Sequence, residues 1–492
     1  MMRNSYLVFI LMLFVRLLSV YVVQTSFVPD EYWQSIEIAH RKAFGYGYIT
    51  WEWKKQIRSY IYPFLFELLY LVFPDSPIIT KHLPRLFQSI LSTCGEFAIY
   101  KLSVKLFGNN CGSWTLFNII TSWFLFYCSP RTISNMAEAS FTACGLYFYP
   151  WSFQKEKGLT CKYLWFAGAS IMIRPTGFIL WLPLYCWHAI RANDIVFIIK
   201  NTALKVFLLL SLLIAVDYYY YGEFVVSHYN FFLFNWKNDI GAFYGEHHFL
   251  WYMVSGLPSI LGVHFIPFFL GLFVKKIRHF YLIILWFLVF LSLPSHKEFR
   301  FLLPIMHLSL MCSSVVMNEI AIGRMFVFGH KLNEKLNAAM MIAIILINVP
   351  LSIYVSLFHQ RGTIDAVSQL SSTATDNSSI LFLMPCHSTP YYSYMHKDIP
   401  MRFLLCEPNF SNDVNYIEEA EEFFQDAPSW LQKNYESSNV SFPSHIVMFD
   451  SLYSNISPFL FKHKYEKCFS TFHSHFPSGR VGKHVFIFCK GS

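Results

Sequence analysis

The sequence predicts a polytopic α-helical membrane protein, with about eleven transmembrane helices, some of them broken, and a small α/β domain at its C-terminal end. Three observations carry this. Of 492 residues, 55% are hydrophobic and 14% charged, where a soluble protein carries about 25% charged residues. Apolar runs of membrane-spanning length recur from Tyr6 to residue 358. Beyond 358 the pattern changes to short apolar runs between polar, Ser-rich stretches. The expected division is therefore a membrane module over 1–358 and a lumenal domain over 359–492. The net charge of +8 is spread over short loops. That is a topology signal and not a nucleic-acid footprint.

The first apolar run, 6–23, is long enough to cross a bilayer at about 1.5 Å per residue. Arg3 ahead of it also suits a signal peptide. Arg16 inside the run, and the many later spans, favour an uncleaved helix. Further apolar segments lie near 61–73, 83–106, 112–129, 137–152, 162–175, 177–190, 203–221, 252–273, 279–294, 301–322 and 338–358. Pro or Arg interrupts several, at Ile173-Arg174-Pro175, Pro258 and Pro267, as in broken helices that line a cavity.

Orientation follows from the loops. Lys275-Lys276-Ile277-Arg278 is the densest short basic cluster between two spans and should be cytoplasmic. Counting from it places His296–Arg300 and everything after 358 on the far side. The tail holds every Asn-x-Ser/Thr sequence of the chain, with Asn377, Asn409 and Asn439 as glycosylation candidates; Pro458 makes Asn455 a poor acceptor. Counting back puts 24–60 and 222–250 on the lumenal side too. The tail's Cys386, Cys406, Cys468 and Cys489 permit two disulfides in any of three connectivities. Its apolar runs at 380–384, 403–406, 445–449 and 485–489, with an acidic stretch at 418–435, read as strands and a helix.

The chemistry-bearing residues gather in the 24–60 loop. Asp30 follows Pro29 and opens a short amphipathic run, which suits a helix cap and equally a general base at a membrane boundary; both roles can coexist. Glu31 stands beside it. Trp51-Glu52-Trp53 reads either as an interfacial aromatic belt or as a sugar platform with Glu52 accepting from hydroxyls. Arg131, Asn135 and Glu138 recur at helical spacing and predict a polar stripe on an apolar helix. Arg174 sits at a helix break, and Arg16 lies inside an apolar run, where cations usually face the bundle interior. His296, Lys297 and Arg300 fall within five residues between two hydrophobic helices and suit a phosphate clamp, with Arg58 as a further donor. The 222–250 loop offers Asn235, Asp239, Tyr244, Glu246 and the pair His247-His248. No matched Asp/Cys set accompanies that pair, so no metal is expected. No Walker loop, Rossmann fingerprint, CxxC, HExxH or GxSxG occurs.

FVPDEYWQ, TWEW followed by RSYIYP, RTISN with Glu138, IRPT and SHKEFRF, in this order and spacing, resemble the dolichyl-phosphate-mannose-dependent mannosyltransferases of the glycosyltransferase C superfamily. HQRGTIDAVS, MPCHSTPYYSYMH and FPSGRVG in the tail resemble the branch that builds the GPI anchor. The resemblance implies an endoplasmic reticulum membrane enzyme with a lumenal site and no cofactor beyond its donor substrate. It implies inverting α-1,2 transfer of the third mannose from dolichyl phosphate mannose to a two-mannose GPI glycolipid. By carry-over Asp30 is the base and Glu31 its motif neighbour. Relatives acting on the fourth GPI mannose or on lipid-linked N-glycan precursors share the chemistry. The latter often have His before PDE, where Val28 stands here, and Glu96 occupies a position where Asp is expected. Polar helix breaks also serve transporters of lipids or sugar phosphates. Acids concentrated in one lumenal loop favour one-sided chemistry.

Overall fold

The computed structural model describes residues 2–151, 161–192, 194–237, 241, 243, 245–410, 413, 415–438 and 440–491. Asp239, Tyr244 and Asn439 lie outside them. The chain forms two compact units that are not contiguous along it. One comprises Met1–Val22, Lys55–Leu65 and Pro84–Ile353; the other comprises Val23–Lys54, Phe66–Leu83 and Tyr354–Ser492. A single cut at 358 does not separate them, because the first polar loop packs with the tail.

The membrane unit is helical. Among the described residues, five stretches are long and apolar enough to cross a membrane: Ser5–Val22, Ile195–Tyr221, Tyr252–Phe273, Phe299–Ala321 and Glu334–Thr373. Pro77–Phe107 is also long, at 31 residues, while helices such as Asn109–Ile120, Ser134–Phe148, Tyr163–Ile173, Gly177–Arg191 and Arg278–Leu291 are shorter. The helix Leu303–Ala321 is its core. Every residue from 302 to 318 is buried, and the helix packs against Asn109–Ile120, Ser134–Phe148 and Phe265–Leu270.

The expected breaks have local causes. Pro175 pushes Arg174 into extended backbone (φ −142°, ψ 122°), which ends the helix Tyr163–Ile173 before Gly177–Arg191 begins. The Tyr252–Phe273 stretch changes pitch at Gly262, whose φ of +55° favours glycine.

Arg16 is 1% exposed and pairs through Nε with both oxygens of Glu96, at 2.8 Å each. Its Nη2 donates to the Ile119 carbonyl at 3.1 Å, and Ser129 Oγ donates to Glu96 at 3.2 Å. Glu96 is therefore a counter-ion that ties three helices of the bundle.

The other unit contains a five-stranded sheet. Its strands are Ile380–Leu383 (β1), Met401–Phe403 (β2), His445–Phe449 (β3), Tyr465–Phe472 (β4) and His484–Lys490 (β5), in the order β2-β1-β3-β5-β4. β1 runs parallel to β2 and β3, while β5 is antiparallel to β3 and β4. The acidic stretch forms the helices Glu419–Gln425 and Ala427–Leu431. Phe423, Trp430 and Leu431 cover Leu381, Leu383, Ile446 and Met448 of the sheet. Two readings shift. β2 ends at Phe403, because Leu405 N–H turns to Glu419 and Cys406 bonds to Cys386. β4, unforeseen in the sequence, is largely exposed at 466–468 and so lacks a strong apolar pattern. The disulfides are Cys386–Cys406 and Cys468–Cys489. Asn377 and Asn409 are exposed.

Glu96→Ala leaves Arg16 buried without its counter-ion and is expected to cost about 3–5 kcal/mol. Replacing both residues with Met should recover much of that loss, as read from thermal unfolding in detergent.

Candidate active site

Pro29 starts a helical run over 30–44, its carbonyl accepting from Tyr32 and Trp33 N–H at 3.0 Å each. A π-helical turn, Tyr32–Ile36, separates Asp30 and Glu31 from the regular helix Glu37–Phe44. Such turns are frequent at functional sites. Asp30 is half-buried in the first turn, and Glu31 is buried.

Trp51-Glu52-Trp53 is neither an exposed belt nor an open sugar platform. It forms the helical turn Trp51–Lys54, and both indoles are buried, Trp51 against the Phe410 ring at 5.3 Å. Glu52 accepts from Gln34 Nε2 at 3.1 Å, fastening this turn to the run that carries Asp30. On the same run Glu37 is wholly buried and accepts from Tyr391 N–H (2.8 Å), Ser393 N–H (3.1 Å) and Ser393 Oγ (2.5 Å). Burial pushes its carboxyl up to about 7, against the opposing pull of these hydrogen bonds.

In the membrane unit, Asn135, Arg174, Thr176, Asn235, His296 and Phe301 meet around a cavity of about 80 Å³. Four of the sequence-derived residues, Asn135, Arg174, Asn235 and His296, far apart in the chain, are thus brought together. Arg174 ion-pairs with Glu138 (Nε to Oε2, 3.3 Å), donates to Ser134 Oγ at 3.2 Å, and lies over the Phe301 ring. Arg58 lies over Phe231, a wall of the same cavity.

Two expectations change. Arg131 is not on the helix with Asn135 and Glu138, which begins only at Ser134. Pro130 precedes it in a turn, and Arg131 folds back to the Tyr127 carbonyl (3.0 Å) and ring (4.0 Å). Lys297 points at backbone: its ammonium donates to the carbonyls of Pro294 (2.8 Å), His247 (2.9 Å) and Ser295 (3.3 Å). It pins the 292–298 turn to the 245–248 segment.

The remaining two members of that motif are joined by Glu298. Its carboxylate accepts from His296 Nε2 at 3.1 Å and ion-pairs with Arg300. Burial would raise the Glu298 carboxyl, but the Arg300 charge and the hydrogen bonds from His296 and Arg300 bring it down to about 2. Burial pulls the His296 value down; Glu298 and the Gly245 carbonyl outweigh it, so the net direction is up. His296 and Arg174 thus line one cavity of about 80 Å³, each held by a carboxylate, Glu298 and Glu138.

Three residues escaped the sequence reading. Glu37, within the 24–60 loop, and Glu298, within SHKEFRF, had nothing in the sequence to separate them from solvated acids. Asp217 had a signal, a lone carboxylate in the apolar helix Ile195–Tyr221. It accepts from Ser59 Oγ (2.9 Å), Tyr60 N–H (2.8 Å) and Ser227 Oγ (2.7 Å), fixing the segment behind Arg58.

The His296–Glu298 pairing stabilises the fold fully between their ordinary values of 4.5 and 6.5. The contribution is lost as pH falls toward about 2, where Glu298 protonates, and as pH rises through the raised value of His296. Glu298→Gln should therefore lower the pH at which His296 loses its proton, measured by NMR of isotope-labelled histidine and assigned with His296→Gln.

Comparison with known proteins agrees with this architecture. The model of the Alg9-like mannosyltransferase family matches residues 7–396. A Drosophila melanogaster protein named GPI mannosyltransferase 3 is 40% identical, covering 92% of this chain and 81% of its own. A Bos taurus protein named GPI alpha-1,2-mannosyltransferase 3 is 36% identical, covering 99% and 89%. Among solved structures, apo ArnT from Cupriavidus metallidurans superposes with a TM-score of 0.57 at 13% identity, over 99% of this chain and 98% of its own. That likeness shows the glycosyltransferase C fold. On these matches and the fold, the chain belongs to the Alg9-like mannosyltransferase family.

Proposed function

We propose that this protein is an inverting α-1,2-mannosyltransferase of the endoplasmic reticulum membrane. It adds the third mannose of a GPI precursor, from dolichyl phosphate mannose to a two-mannose glycolipid, on the lumenal side. The observation that carries the reading is similarity over nearly the full chain to proteins named for this activity. The basic 275–278 loop and the confinement of the sequons to the tail support the orientation.

Asp30 takes the proton from the acceptor 2-hydroxyl. That oxygen attacks C1 of the donor mannose, and the bond from C1 to the phosphate oxygen breaks on the opposite face. A β-linked donor thus yields an α-linked product and free dolichyl phosphate, through an oxocarbenium-like transition state. The departing phosphate gains negative charge, which fixed cations stabilise. Arg174 and His296 supply that role at their cavity, with Arg300 behind His296 through Glu298 and Arg58 at the wall. No cofactor is invoked, since the phosphate is already a good leaving group.

In liposomes supplied with dolichyl phosphate mannose and a two-mannose GPI acceptor, Asp30→Asn should lower kcat by about 10²- to 10⁴-fold with donor affinity unchanged. Turnover by the purified variant within about tenfold of wild type would remove Asp30 as the base. Preferential mannosylation of a three-mannose GPI or of an N-glycan precursor would overturn the acceptor assignment.

A further inference from the structure

The tail sequence MPCHSTPYYSYMH, 384–396, has no part in the chemistry above. Within its unit it is nevertheless wrapped around the helical run that carries Asp30. The helix Glu37–Phe44 holds the short helix Tyr392–Met395 at both ends. At the N-terminal end, Glu37 accepts the N–H groups of Tyr391 and Ser393 and the Ser393 hydroxyl. Three residues on, His40 Nε2 shares a hydrogen bond with Nδ1 of His396, the residue that caps the C-terminal end (3.0 Å). His396 Nε2 in turn meets Asp75 at 2.7 Å. Nearer Asp30, Trp33 donates to the Thr389 carbonyl at 3.0 Å, and its ring packs on His387 (4.5 Å) and Tyr391 (5.2 Å). The Cys386–Cys406 disulfide fixes the start of the segment to the end of β2.

These contacts grip one helical run along a single face: positions 33, 37 and 40 are spaced by four and three residues. Position 30 opens the same helical run, just ahead of the π-helical turn Tyr32–Ile36 that carries Trp33. Gripped at three points, the run can neither rotate about its axis nor slide, and the place of the Asp30 carboxylate is fixed with it.

We propose that 384–396 is a positioning element of the transfer reaction, with Glu37 and Ser393 as its principal positioning residues. The proposal rests on the reading of Asp30 as base. Glu37 touches no substrate; it acts through the helix that presents Asp30. A purely structural role would reduce the yield of folded protein without altering the chemical step. A positioning role reduces kcat, because misplacement of a reacting group by about 1 Å can cost around 10²-fold.

The test is a double-mutant cycle in the full-length enzyme reconstituted with donor and acceptor. Glu37→Leu should lower kcat by about 10²-fold at unchanged donor affinity. Glu37→Gln, which keeps the shape and an acceptor oxygen, should stay within about threefold of wild type. In an Asp30→Asn background, Glu37→Leu should cause no further loss, since there is no base left to position. Full activity of Glu37→Leu, a loss confined to KM, or an equal loss in the Asp30→Asn background overturns the proposal. If Glu37→Leu does not fold, Ser393→Ala decides: a loss of about three- to tenfold in kcat that vanishes in the Asp30→Asn background supports it, and no loss overturns it. Failure of the base assignment is separately visible, as turnover by Asp30→Asn alone.

Discussion

A charge or an open backbone group inside a bilayer must be matched within the protein, and the membrane unit is ordered by that requirement. Arg16 meets Glu96, Arg174 meets Glu138, and Asp217 collects donors from two segments. Each match lies between parts of the chain distant in sequence, so each also fixes how the helices sit. Asn135, Arg174 and His296, also distant in sequence, meet at one cavity, where Glu138 holds Arg174 and Glu298 holds His296.

The polar unit works differently. Its sheet and covering helices form an ordinary water-soluble core. What matters for function is that the first loop, 24–54, belongs to it. The acidic motif is folded onto the tail through Glu37, His40 and Trp33, so loop and tail make one body although 300 or so residues separate them in sequence.

Much of this was legible in the sequence. Charge depletion gave the membrane class, Pro175 marked a real break while the chain runs helically through Pro258, and the runs at 380, 445 and 485 became strands. Arg174 and His296 were identifiable because cations are rare beside apolar helices. Other features were not legible, for physical reasons. A non-contiguous unit leaves no local pattern. A buried acid such as Glu37 looks like a solvated one until its donors, 354 and more residues away, are seen. Lys297 had the composition of a phosphate ligand, and only geometry shows its donors turned to carbonyls. Trp51 and Trp53 suited an interface by type and are core residues by position.

The central claim is single-displacement transfer of one mannose to a mannose hydroxyl of a GPI precursor. It is tested most directly by the configuration and linkage of the product formed by the reconstituted enzyme. The account predicts a three-mannose glycolipid whose new residue is α-linked to O2 of the second mannose, released by an α-1,2-specific mannosidase. A β-linked product, or one that resists that enzyme, would contradict it.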